Sequence, residues 1–194
     1  MQGNPFGNGI IRDMHRAGYV LTGGRSSRMG RDKALLPFQG RTLVECVAQN
    51  VATVTGAVKL VGNKGKYASL GFPVIEDRVP GCGPLSGIEA ALTDSPAALT
   101  LIVACDMPSL NPDFLAWILD EAEKNDAAVT WVKDEPLCAV YRPAARAAAF
   151  AALAEGRYKV SLAFASLNVK CLTPTDLSPL ANTNTPEEWA CFGD

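Results

Sequence analysis

Histidine is nearly missing from this chain: His15 is the single example in 194 residues. That argues against a Ser-His-Asp or cysteine-histidine nucleophile, because the imidazole base of either would have to be His15. His15 also falls in residues 1–17, a Gly- and Asn-containing lead without hydrophobic period that reads as a flexible N-terminal tail. The six cysteines, Cys46, Cys82, Cys105, Cys138, Cys171 and Cys191, contain no C-x-x-C pair, so a Cys/His zinc site is excluded too. They read mostly as small apolar fillers in a reduced compartment. No apolar run approaches the roughly 20 residues that cross a bilayer, and none in the tail has signal-peptide length; a cytoplasmic protein with no membrane partner is expected. The dinucleotide spacing G-x-G-x-x-G is absent, and no Gly-Lys-Ser/Thr follows the first glycine pair as it would in a P-loop. Internal repeats and low-complexity blocks are lacking. The chemistry left open must use carboxylates, lysine, arginine and backbone amides, with or without a hard metal ion.

What is present is an ordinary globular composition, 48% hydrophobic and 20% charged, in a length that suits one domain, taken as 18–194. Its most informative stretch is residues 21–33, LTGGRSSRMGRDK, directly after the apolar run Gly18-Tyr19-Val20. Gly23 and Gly24 let the backbone turn and approach a ligand closely. Arg25, Arg28, Arg31 and Lys33 place four cations in nine residues of a chain whose net charge is −2, so the positive charge is local. No broad basic surface for nucleic acid is expected. Glycine-rich backbone with clustered cations describes a phosphate cradle; a basic surface loop is the plainer alternative.

The hydrophobic pattern predicts a strand over 18–21, then a helix to about Thr55 opened by a Thr42/Glu45 capping box. Short strands follow over 57–61 and 73–76, and a Pro/Gly-rich loop over 77–84 leads into a helix over 85–92. The run 99–105, LTLIVAC, has the character of a central strand buried on both faces. Asn111 and Pro112 open the next helix. Strands over 127–132 and 137–141 flank a turn and suit a hairpin. Helices over 143–153 and 160–167, a strand over 169–172 and a last helix opened by Thr185 complete the chain. Alternating strands and helices mean βαβ units: an α/β, Rossmann-like three-layer sandwich around a mostly parallel central sheet.

Ligands of such sheets bind beyond the carboxyl ends of the strands. The loop after Leu21, Asp77 and Asp106 all fall there. A carboxylate on a rigid strand end suits Mg²⁺, which takes one or two carboxylates beside phosphate oxygens, although a turn or cap aspartate is the alternative for both residues. Asn63 reads as a turn residue, and the run 181–185, ANTNT, as the cap of the final helix.

Four blocks, LTGGRSSRMGRDKALLPF (21–38), VIEDRVPGCGPLSGI (74–88), VACDMPSL (103–110) and ANTNTPEEW (181–189), together resemble the molybdenum cofactor guanylyltransferases, within the wider nucleotidyltransferase group. The opening block marks a nucleotidyltransferase; GPLSG and CDMP point to the guanylyl branch. The resemblance implies a fold of the nucleotide-diphospho-sugar transferase type and transfer of GMP from GTP to the phosphate of molybdopterin, with Mg²⁺ as cofactor. It implies that Leu21, Thr22, Gly23 and Gly24 contact the nucleotide, that Lys33 and Arg28 bind phosphate, and that Asn63 and Asp77 also touch the nucleotide. Asp106 corresponds to the metal and nucleotide aspartate, and Asn182 and Asn184 to an asparagine pair, with Asn184 completing the metal site. Thr22 departs from the Ala usual there, a change that a backbone contact survives. Residues 142–172 match least. A molybdoenzyme or its chaperone is the implied further partner. The rival expectations are a cytidylyltransferase, another phosphorylated acceptor, or a non-catalytic nucleotide-binding partner of a molybdoenzyme.

Overall fold

The structure, a computed structural model, describes residues 15–22, 32–79 and 81–181. Its centre is strand β1 (Arg16–Leu21), which carries Tyr19 and Leu21 to one face of the sheet and Val20 to the other. β1 begins at Arg16, two residues earlier than the apolar pattern predicts, because Arg16 is satisfied by the helix Pro112–Glu123: its guanidinium donates to Glu123 at 2.7 Å and Asp120 at 3.3 Å. His15 belongs to the described body and not to a loose lead, since its carbonyl accepts the Leu99 N–H at 3.0 Å.

A two-residue hairpin, β2 (Pro37–Phe38) and β3 (Arg41–Thr42), leads into α1 (Leu43–Thr55). The Thr42 N–H and hydroxyl both donate to Glu45 Oε2, at 2.8 and 2.6 Å, and Gly56 closes the helix in the left-handed conformation at φ 79°. Next come β4 (Val58–Val61), the one-turn helix α2 (Lys64–Tyr67) and β5 (Val74–Ile75). Pro84 occupies the first turn of α3 (Pro84–Asp94), which returns the chain to β6 (Leu99–Ala104), buried at all six positions. α4 (Pro112–Glu123) starts on Asn111, whose side chain accepts the Phe114 N–H at 3.0 Å. Then follow β7 (Val129–Val132), β8 (Glu135–Tyr141), α5 (Ala145–Ala154), α6 (Val160–Ala163) and β9 (Val169–Leu172). α6 is a single turn, shorter than the helix predicted over 160–167.

One sheet orders the strands β5-β4-β1-β6-β8-β7-β9. All neighbours pair in parallel except β8, which runs antiparallel to both β6 and β7. The predicted hairpin exists, but its second strand is inserted beside the central β6. α1 and α4 cover one face over a core that includes Val20, Val47, Leu101 and Ile118; α3, α5 and α6 cover the other over Leu21, Ile88, Ile102 and Phe164. The mostly parallel sheet with helices on both sides is the expected fold class. Among the described residues no helix is long and apolar enough to cross a membrane.

Candidate active site

From β1 the chain goes to α1 and β4 on one side; from β5 it crosses by α3 to β6 on the other. The strand order therefore reverses between β1 and β6, and a crevice opens beyond their carboxyl ends. It is lined by Leu21 and Thr22 from β1, by Ala104, Cys105 and Asp106 from β6, and by Asp32, Lys33 and Ala34 where the chain returns from the cationic loop. Pro84 at the start of α3 and Leu137 of β8 close its sides. Leu137 reaches the crevice because β8 runs backwards: its early residues meet the carboxyl end of β6.

The floor is held by backbone and hydroxyl bonds. The Cys105 N–H donates to the Leu21 carbonyl at 3.1 Å, extending the β1–β6 ladder past the strand ends. The Thr22 N–H and Oγ1 both donate to the Val61 carbonyl, at 2.9 and 2.8 Å. Asp32 caps the short 3₁₀ turn Lys33–Leu35, accepting the Ala34 N–H at 3.3 Å, so Lys33 projects from a fixed turn.

The electrostatics suit an anionic ligand with a cation of its own. Burial pushes the Asp106 carboxyl above its ordinary value of 3.8, while the charge of Lys33 and a backbone hydrogen bond pull it back. The fold holds this carboxylate at a cost that a bound cation would relieve. Burial, with the Asp106 charge behind it, pushes the Cys105 thiol up to about 12; it stays protonated and is no nucleophile. Among the described residues no group of three or more His, Cys, Asp and Glu side chains is placed to hold a metal ion. A lone carboxylate still fits Mg²⁺, whose shell is commonly filled by substrate phosphate oxygens and water.

Of the residues singled out from the sequence, Leu21, Thr22, Lys33 and Asp106 come together in this crevice. Asn63 and Asp77 follow β4 and β5 on the same edge of the sheet but do not line it. Asn63 caps α2, accepting the Lys66 N–H at 3.1 Å; Asp77 stands 3.2 Å from Ser86 Oγ, which also donates to the Val79 carbonyl at 2.8 Å. Gly23, Gly24, Arg28, Asn182 and Asn184 lie outside the described residues, as does the helix expected after Thr185. Sequence reasoning missed Tyr67, whose hydroxyl lies 2.9 Å from Asp32 Oδ2 and 3.2 Å from the Thr22 carbonyl. A second hollow, at the opposite end of β1, is lined by His15, Arg16, Thr55 and Glu123, and its cation is already paired with Glu123.

Comparison with known proteins agrees with this geometry. The family model described as a MobA-like NTP transferase domain matches residues 18–168. The chain is 34% identical over 179 residues to a probable molybdenum cofactor guanylyltransferase of Carboxydothermus hydrogenoformans, covering 88% of this chain and 91% of that one. It is 35% identical over 182 residues to the molybdenum cofactor guanylyltransferase of Xanthomonas euvesicatoria pv. vesicatoria, covering 89% and 92%. Its fold superposes, with a TM-score of 0.79 and 26% identity, on the crystal structure of molybdopterin-guanine dinucleotide biosynthesis protein A from Archaeoglobus fulgidus, covering 90% and 95%. With its crevice at the reversal of a mostly parallel sheet and its match through 18–168, the chain belongs to the MobA-like NTP transferase family.

Proposed function

We propose that this protein transfers GMP from GTP to the terminal phosphate of molybdopterin, giving the guanine dinucleotide form of the cofactor and pyrophosphate. The observation that carries the reading is the meeting of Lys33 and Asp106 in one crevice at the β1/β6 reversal. The names of the relatives support the choice of guanylyl group and acceptor.

An oxygen of the acceptor phosphate forms the new bond to the α-phosphorus, and the bond to the β-phosphate oxygen breaks, the electron pair leaving with pyrophosphate. A phosphate monoester is already largely ionised at neutral pH, its second pKa being about 6, so no imidazole base is required. The position of His15, at the far end of β1, is consistent with that. The main barrier is bringing two anions into line, which calls for positioning and charge neutralisation. Lys33 supplies fixed positive charge from its capped turn. Leu21 and Thr22 offer a rigid backbone edge to the nucleotide. Asp106, with Asn184 and substrate phosphate oxygens, would hold Mg²⁺, which supplies further charge neutralisation when bound. Gly23, Gly24 and Arg28 are assigned to the phosphates, and Asn63, Asp77 and Asn182 to the nucleotide. The product is suited to delivery, in the cytoplasm, to a molybdoenzyme or its chaperone.

Pyrophosphate release from GTP, CTP or ATP, each with Mg²⁺ and molybdopterin, tests the proposal, and release with GTP alone is expected. Release with CTP in its place would make the protein a cytidylyltransferase. A melting temperature raised by GTP without any release would make it a binding module.

A further inference from the structure

We infer that Tyr67 is a positioning residue for this reaction: its buried hydroxyl ties together Thr22 and Asp32, the two ends of the cationic loop, and thereby fixes where Lys33 stands. The inference rests on the reading of that loop as the phosphate site.

Tyr67 is the last residue of α2 and is only 3% exposed. Its ring belongs to the core that contains Val20, Val44 and Leu60, a place that phenylalanine would fill equally well. The hydroxyl is what needs explaining, since a buried polar group without partners is costly. Its one proton faces two acceptors, Asp32 Oδ2 at 2.9 Å and the Thr22 carbonyl at 3.2 Å. Thr22 is the residue from which the chain leaves β1; Asp32 is where it returns. Lys66 Nζ reaches the same Asp32 oxygen at 3.1 Å, and the other Asp32 oxygen caps the turn that begins with Lys33. A chain of contacts thus runs from Tyr67 through Asp32 to the backbone of Lys33.

α2 is itself pinned, which makes the hydroxyl a fixed point. Asn63 accepts the Lys66 N–H, and Glu76 Oε1 accepts the Lys64 N–H at 3.0 Å. Burial, reinforced by the Asp32 carboxylate, pushes the Tyr67 phenol well above its ordinary value, so it remains a donor throughout the neutral range. It neither lines the crevice nor carries a proton for the reaction, and its influence passes through Asp32.

The test is Tyr67→Phe, which keeps the ring. We expect kcat/KM for GTP to fall about tenfold or more, as for loss of a hydrogen bond to a charged group, with KM for molybdopterin little changed and the melting temperature somewhat lowered, because the same buried bond also stabilises the fold. Amide exchange over 32–36 should quicken in the nucleotide-free protein. Asp32→Ala should lose at least as much, and the double variant no more than the worse single, because both cut one chain of contacts. Wild-type kinetics and exchange in Tyr67→Phe would overturn the inference, as would losses that multiply in the double variant. Should Tyr67→Phe fail to fold, Asp32→Ala decides on the same readouts: unchanged kinetics and unchanged exchange over 33–36 overturn the inference. Should wild-type protein release no pyrophosphate from any nucleotide, the proposed function fails, and amide exchange alone decides on the clamp, unchanged exchange overturning it.

Discussion

Gly62 leaves the space that the Thr22 side chain occupies: a Cβ built on Gly62 would collide with Thr22 Oγ1 and stand 3.1 Å from the Tyr67 ring. Thr22 cannot move away cheaply, because its hydroxyl is buried and donates to the Val61 carbonyl. Gly62→Ala should therefore cost about 1 to 3 kcal/mol by overpacking and displace the end of β1. A lower melting temperature together with a reduced kcat/KM for GTP is expected; unchanged values for both would show that the crevice floor yields freely.

Lys33 and Lys59 make a matched pair for testing the site. Lys33 lines the crevice, whereas Lys59 Nζ is engaged 2.7 Å from Asp94, which ends α3 near the opposite edge of the sheet. Lys33→Ala should lose roughly a hundredfold to a thousandfold in rate, the usual loss for one donor to developing charge, while Lys59→Ala retains most of its turnover. Comparable losses would place the phosphates elsewhere.

Asp106→Asn keeps the volume of the side chain but not its charge. Turnover should be abolished at any accessible Mg²⁺ concentration. The melting temperature should not fall, because burial makes the carboxylate a charge that the fold holds at a cost. Calorimetry beside a pyrophosphate assay checks both halves, and wild-type turnover would remove Asp106 from the metal role.

Asp94 carries a pH dependence of stability. Burial raises its pKa, but the hydrogen bonds from Lys59 and from Tyr19 Oη, at 2.7 and 2.6 Å, outweigh that and hold it below its ordinary value of 3.8. A depressed carboxyl stabilises the fold above its unfolded value and loses that contribution as pH falls through the folded one. Asp94→Asn should thus melt below the wild type at pH 7, and the gap should close as pH drops below 3.8. A gap that persists unchanged in acid would mean that packing, not charge, is what the substitution removes.

Elements that announce themselves locally were legible in the sequence. The Thr42/Glu45 box, the Asn111-Pro112 start of α4 and the unbroken apolar run of β6 each signal their structure within a few residues, and all three lie where the pattern places them. The reverse course of β8 beside β6 was not legible, because an alternating run says nothing about which neighbour it pairs with. Tyr67 escaped notice for a related reason. KGKY has no amphipathic period, and the partners of its tyrosine lie 35 and 45 residues away. Arg16 looked like the end of a polar lead, since its carboxylate partners come more than 100 positions later. In the site itself, Lys33 and Asp106 stood out because each abuts a strong local pattern. Asn63 has a cap to make, and whether it serves the nucleotide is decided by groups that local spacing does not reveal.

The backbone ladder that joins β1 to β6 runs on past both strands, with Leu21 opposite Ala104 and the Cys105 N–H on the Leu21 carbonyl. The roots of the loop and of the Asp106 carboxylate are in consequence one mechanical part. A displacement of one strand end strains the bond that holds the other, so the two backbones are coupled where the loop and the carboxylate begin. Whatever occupies the rim of the sheet, this backbone tie limits how far the two roots can part.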